Sequence, residues 1–245
     1  MPSPSPRAPS WRTLLVGWLG CALVLGVALS VPVVNNVVRF SVVGATAALW
    51  LMALRYAWRG RVLRVVVVLP LLGVAGVAVA PGGERNVEEL RAHYLTALPT
   101  YDGVPYVWGG ESPDGIDCSG LVRRALRDAL IEHALRHRDA QSARDAFLLW
   151  WVDDAAVDLR DHRNRRTVLV REARSLRTLD PHEVQPGDLA VTASGIHVLA
   201  YLGEGQWIEA SPQRMKVGTF HAHDDNPWST VRIHLVRWRY LATTM

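Results

Sequence analysis

Between Met1 and Gly83 the chain carries seven arginines and not one aspartate or glutamate, and long stretches of that third hold no charge at all. A segment so apolar has few ways to fold in water. Positions 14–34 are 21 consecutive uncharged residues, enough to cross a hydrocarbon layer of about 30 Å at about 1.5 Å of helix rise per residue. Positions 40–54 and 65–80 are shorter, but Arg39, Arg55 and Arg64 are placed to snorkel from their ends, and Trp50, Tyr56 and Trp58 to anchor at the interface. The reading is a membrane region over 1–83 with about three transmembrane helices, at 14–34, 37–57 and 62–80, in contact with the lipid bilayer.

Charge placement then sets direction. The net charge is +4 overall, so the +7 of the first 83 residues leaves −3 for the rest, and the basic excess lies beside hydrophobic spans rather than on a folded surface. No nucleic-acid partner is expected from that distribution. Arg7 and Arg12 precede the first span, while Arg55, Arg59, Arg61 and Arg64 fill the turn between the second and third. By the positive-inside rule both segments face the cytoplasm, so the remainder, opening with Glu84, Glu88 and Glu89, emerges on the outer side of a cytoplasmic membrane. No small-residue cleavage site follows the first span, which argues against a signal peptide. Cys21 reads as a small apolar helix residue.

Over 84–245 helical patterns precede strand patterns, the order of an α+β domain. Asn86 with Glu89 three residues on forms an Asx variant of a capping box, and Val87, Leu90, Tyr94, Leu95 and Leu98 continue it as a helix over 86–98. A second helix follows Cys118. A third is expected over 143–159, with Trp150 and Trp151 on its apolar face and packed into the core. Strand patterns cover 167–170, 188–192, 196–202, 206–210 and 230–238.

The segment YVWGGESPDGIDCSGLV, residues 106–122, sets the second of two cysteines between a glycine-rich loop and an amphipathic helix. Two cysteines so differently placed suit neither a disulfide framework nor a thiolate metal site. Cys118 at a helix start, where unpaired N–H groups and the helix dipole favour an anion, is expected to have a lowered pKa and to act as a nucleophile. Such a thiol needs a histidine base and a polar group to orient it. His197 lies in SGIHVLAYLG, and Glu209 in QWIEAS across the Gly203-Glu204-Gly205 turn. Pairing about residue 204 brings Glu209 opposite Leu199, one diagonal step from His197. His133 and His137 could share a helix face, but no acidic ligand or third histidine joins them in sequence; HAHDD at 221–225 would align its two imidazoles only as a strand, yet the Asp-Asp-Asn-Pro it runs into reads as a turn. Neither a metal nor a cofactor is expected.

YVWGG…GIDCSGLV, VQPGDLAV, IHVLAYLG and WIEAS, in that order, resemble the NlpC-type bacterial cell-wall cysteine peptidases over roughly residues 87–238. The resemblance implies a papain-like fold for 84–245 and hydrolysis of peptidoglycan stem peptides, at the bond between D-isoglutamate and a diamino acid. It implies Cys118 as nucleophile, His197 as base and Glu209 as third polar residue. Tyr106 then stands near the oxyanion and substrate, and Asp117 and Ser119 flank the site that takes the substrate's amino end. With the N-terminal spans, it implies a multi-pass protein of the bacterial inner membrane with its catalytic domain outside. Glu209 stands where relatives carry His, Asn or Gln, and Leu199 where glycine is common, which could narrow the cleft. Residues 139–166 read as a helical insertion. An amidase or acyltransferase on the same fold, or a non-catalytic cell-wall-binding scaffold, is the alternative.

Overall fold

The computed structural model describes residues 11–180 and 182–242, and of residues 11–14 the backbone alone. Arg7 and the side chain of Arg12 thus lie outside the described residues. The chain divides into two compact units at Gly76–Val77.

The first unit contains α1 (Trp11–Ser30), α2 (Asn36–Ala57) and most of α3 (Arg61–Val79). α1 ends at Ser30 rather than continuing to 34, because Pro32 cannot extend a helix. Asn35 opens α2 by accepting the Val38 N–H at 3.0 Å. At the α2–α3 turn the Arg64 guanidinium lies 4.8 Å over the Trp58 ring and donates to the Trp58 carbonyl. Apolar side chains point outward, Leu51 at 67%, Val74 at 70% and Val79 at 84% exposure. By length and composition two described helices, α2 and α3, suffice to cross a bilayer, whereas α1 contributes a shorter apolar stretch, Leu15–Ser30. That is fewer than the three spans expected from the sequence.

In the second unit α4 (Val87–Ala97) begins where Asn86 accepts the Glu89 N–H at 3.1 Å. A small hairpin, β1 (Glu111–Ser112) and β2 (Gly115–Ile116), leads into α5 (Cys118–His137). The expected third helix is two, α6 (Ala140–Trp151) and α7 (Ala156–Arg160). Charge explains the break: Asp153 is drawn to Arg123 at 2.8 Å and Asp154 to Arg166 at 3.0 Å, so the intervening chain is pulled out of helical register. Nor are the tryptophans core residues. Trp150 and Trp151 are half-buried and group with Phe147, which is 53% exposed.

The strands β3 (Thr167–Ala173), β4 (Leu189–Thr192), β5 (Val198–Gly203), β6 (Gln206–Ser211), β7 (Lys216–His221) and β8 (Ile233–Trp238) form one antiparallel sheet. Their order is β3-β8-β4-β5-β6-β7. β7 was not expected from sequence, since Gly218 and flanking polar residues weaken its alternation. Period-two alternation divides the sheet between two cores. Val198, Ala200, Ile208 and Ala210 meet Leu121, Val122, Ala125 and Leu126 of α5. Leu199, Tyr201, Trp207 and Leu235 build the second cluster on the opposite face. Leu199 is therefore interior and narrows no cleft, contrary to expectation.

Candidate active site

Cys118 is the first residue of α5, and the residue before it builds that terminus. Asp117 caps the helix: its Oδ1 accepts the Gly120 N–H at 2.6 Å and the Ser119 hydroxyl at 3.0 Å, while its Oδ2 accepts the Gly109 N–H at 2.8 Å. One carboxylate thus fastens the glycine loop to the helix start. Glycine is required at position 120, because a side-chain carbon there would run into the Gly110 carbonyl, which itself accepts the Asp117 N–H at 3.1 Å. Asp117 and Ser119, placed by resemblance near the substrate, are engaged with each other and with the loop.

The thiol of Cys118 is buried, at 7% exposure. Burial, followed by the nearby Asp117 carboxylate, pushes its pKa up to about 12, against the opposing pull of the backbone amides of Val198, Ser119 and Cys118 itself. The lowered value expected from the helix terminus is therefore not found: loss of solvation outweighs the dipole. The Val198 amide belongs to the residue after His197, so the thiol sits at the start of β5. Tyr106 is coupled to the same thiol. Its phenol is held up to about 12 by burial, then by Cys118 and Asp117, and remains a hydrogen-bond donor over the physiological range. Its backbone is fixed by the Met215 carbonyl at 2.9 Å and by a bridge to Ile116.

His197 falls just before β5, in the turn from β4. The turn is tied by Thr192, whose N–H donates to the His197 carbonyl at 3.0 Å and whose Oγ1 accepts the His197 N–H at 3.1 Å. β5 and β6 pair Ala200 with Ile208 and Tyr201 with Trp207. One step further along that register Glu209 stands opposite Leu199, as the turn predicts. The diagonal closes: His197 Nε2 lies 2.5 Å from Glu209 Oε2, with both side chains at most 2% exposed. Nε2 is thereby engaged, leaving Nδ1 for other chemistry.

Two residues at this site were not found from the sequence. Asn226 Nδ2 donates to the other Glu209 oxygen at 2.8 Å, and Asn226 Oδ1 accepts the Trp228 N–H at 2.9 Å. The Trp228 ring then stacks on His197, with centroids 4.4 Å apart and planes 19° apart. The turn expected at Asp224-Asp225-Asn226-Pro227 falls earlier, at Ala222–His223, where Asp224 accepts the His221 N–H; Asn226 instead caps a short 3-10 helix, Pro227–Thr230. An asparagine ahead of proline was the one local sign of a cap here, and nothing local indicates what its amide faces.

Away from this site, the described residues hold one group with metal-ligand chemistry, Glu89, His133 and His137, whose ligand atoms lie within 4.8 Å of one another. The acidic partner that His133 and His137 lack in sequence is supplied by α4, which lies alongside α5.

The sequence model of the NlpC/P60 family matches residues 103–237, just over half of the chain. A probable endopeptidase of Mycobacterium tuberculosis, Rv2190c, is 40% identical over 70 residues, 25% of this chain and 18% of that protein. The gamma-DL-glutamyl hydrolase of Bacillus subtilis is 30% identical over 117 residues, 45% of this chain and 21% of that protein. The probable endopeptidase YafL of Escherichia coli is 30% identical over 127 residues, 51% of this chain and 40% of that protein. This chain thus spans less than half the length of each. The solved peptidoglycan hydrolase RipB of M. tuberculosis is 22% identical, with 87% of this chain and 96% of that chain covered at a TM-score of 0.43.

Proposed function

Because the chain belongs to the NlpC/P60 family, we propose that it is a cysteine endopeptidase that hydrolyses amide bonds in peptidoglycan stem peptides. The bond between D-isoglutamate and the diamino acid is the substrate we favour; the B. subtilis relative is named for a γ-glutamyl bond. The observation that supports this reading is the buried His197–Glu209 pair, 2.5 Å apart, on a strand start whose next residue, Val198, meets the Cys118 thiol through its backbone amide.

The chemistry follows from those contacts. The resting thiol is neutral, so His197 Nδ1 takes its proton as sulfur attacks the carbonyl carbon. Charge that develops on the carbonyl oxygen is met by N–H groups at the start of α5 and by the Tyr106 hydroxyl. Glu209 stabilises the imidazolium through Nε2, and Asn226 keeps the carboxylate in place. The imidazolium then protonates the departing amine. Water, deprotonated by the same ring, opens the thioester, releases the carboxylate product and restores the thiol. No metal or redox partner enters this balance.

The N-terminal helices complete the proposal. α1, α2 and α3 hold the protein in the bacterial inner membrane, with the arginine-rich α2–α3 turn on the cytoplasmic side and the catalytic unit outside, where peptidoglycan lies. The wealth of outward-facing valine and leucine on α2 and α3 supports insertion in lipid.

The test is mass spectrometry of purified sacculi digested by the wild type and by Cys118→Ala. New D-isoglutamyl carboxyl ends, absent with the variant, are expected. A new end at muramic acid would indicate an amidase, joined fragments an acyltransferase, and no change of any kind a binding scaffold.

A further inference from the structure

The first turn of α4 and the last turn of α5 bring together side chains that the proposed hydrolysis does not use. His133 and His137 stand one helical turn apart on α5, with ring centroids 4.5 Å from each other. Glu89 of α4 reaches between them, its Oε1 lying 2.9 Å from His137 Nε2. His93, one turn along α4, points its Nε2 at the same oxygen from 3.5 Å.

An ordinary hydrogen-bonded pair accounts for Glu89 and His137 but not for the rest. His133 is 1% exposed, and its Nδ1 is occupied by the Ser142 hydroxyl at 3.2 Å with Asp139 behind it at 3.7 Å. His93 Nδ1 is occupied by the Glu132 carboxylate at 3.2 Å, while its Nε2 is buried without a hydrogen bond. In both rings one nitrogen is anchored by an acidic or hydroxyl group, and the other is left for the cluster. That division is how proteins orient histidines toward a metal. Arg85 is paired with Asp145 at 2.6 Å.

We propose that Glu89, His133 and His137 bind a divalent transition-metal ion of the zinc class, with His93 Nε2 next in line as the fourth ligand. Two histidines at i,i+4 with a carboxylate from a second helix form an N₂O donor set suited to zinc. Tetrahedral zinc with bonds of about 2.1 Å spaces its ligand atoms by about 3.4 Å. The ligand atoms of Glu89, His133 and His137, within 4.8 Å of one another, need only small shifts to reach that spacing. The ion enters from the His137 side, where that side chain is 44% exposed. A site closed by four protein ligands is structural rather than catalytic. This one fastens α4 to the end of α5, beside Asp139, which also receives the Gly83 N–H.

Full-length, tag-free protein in detergent, stripped with chelator, is titrated with zinc chloride by calorimetry and with cobalt(II) by visible absorption. One equivalent of zinc is expected to bind, and cobalt to give the intense visible band of a four-coordinate site that zinc then abolishes. His137→Ala and Glu89→Gln, which remove a ligand from partly exposed positions and should leave the fold intact, are each expected to weaken zinc binding by more than the roughly 10–100-fold typical of losing an orienting partner. Ser142→Ala, which removes an orienting partner of His133, should weaken it less, by about 10–100-fold, and His223→Ala not at all. A wild type that takes up no zinc at micromolar concentrations, or variants at Glu89 and His137 that bind as tightly as the wild type, would overturn the site. Neither readout depends on peptidase activity.

Discussion

One carboxylate joins Asn226 to His197: Glu209 gives Oε2 to the imidazole at 2.5 Å and Oε1 to the Asn226 amide at 2.8 Å. A buried acid with both oxygens engaged has a single orientation, and so does the ring it holds. Glu209→Gln keeps the shape but removes the charge and can present an N–H where the ring needs an acceptor. The expected loss in kcat is about 10²- to 10⁴-fold, with KM little changed, in steady-state cleavage of a stem-peptide substrate. A KM effect alone would argue against an orienting role.

Asn226→Ala removes one partner and leaves a buried carboxylate oxygen unsatisfied, a cost of about 1–3 kcal/mol in stability. It also releases the Trp228 N–H that Asn226 caps. Chemical denaturation should show the stability loss, and kcat should fall with it. Asn226→Asp would place a second carboxylate beside Glu209 and should be worse than alanine at neutral pH.

Trp228→Ala strips the face of the His197 ring, while Trp228→Phe retains an aromatic surface. Stacking of this kind contributes about 0.5–1.5 kcal/mol. Phenylalanine is expected to keep most of the activity and alanine to lose about tenfold, read as kcat on the same substrate. Equal loss in both variants would show that the indole acts other than by covering the ring.

A thiol whose pKa is pushed up to about 12 by burial remains protonated through neutral pH. Alkylation of Cys118 by iodoacetamide in the resting protein should therefore continue to accelerate above pH 9, where a free cysteine has largely levelled off. A plateau below pH 8 would mean that a thiolate–imidazolium pair already exists at rest.

Asp139 responds at the opposite end of the pH scale. Burial works against its ionisation, but hydrogen bonds from Ser142, Gly83 and Gln141 prevail and hold it down to about 2. A folded pKa below the ordinary value of 3.8 stabilises the fold above that value, and the benefit is lost as pH falls toward about 2. Thermal melts of the wild type should fall over that window. Asp139→Asn should start lower at neutral pH and show a flatter acid limb.

Much of this site could be read along the chain because it is built from local rules. A glycine-rich loop running into an amphipathic pattern marks the helix start that carries Cys118. A tight turn at 203–205 fixes how β5 pairs with β6, and that register alone brings Glu209 within reach of His197. The break between α6 and α7 could not be read in the same way. The apolar pattern runs on, and only the folded chain brings Arg123 and Arg166 to Asp153 and Asp154.

Sequence by itself determined which residues bear chemistry and how neighbours along a helix or across a hairpin are spaced, since backbone geometry repeats every turn and every second strand residue. Tertiary structure decided everything that depends on solvent exclusion and on distant partners. It raised the Cys118 pKa where the helix dipole alone would have lowered it. It set Asn226 and Trp228 around the His197–Glu209 pair, and laid Glu89 against His133 and His137. Desolvation and long-range contact exist only once the chain has packed, so no local pattern encodes them.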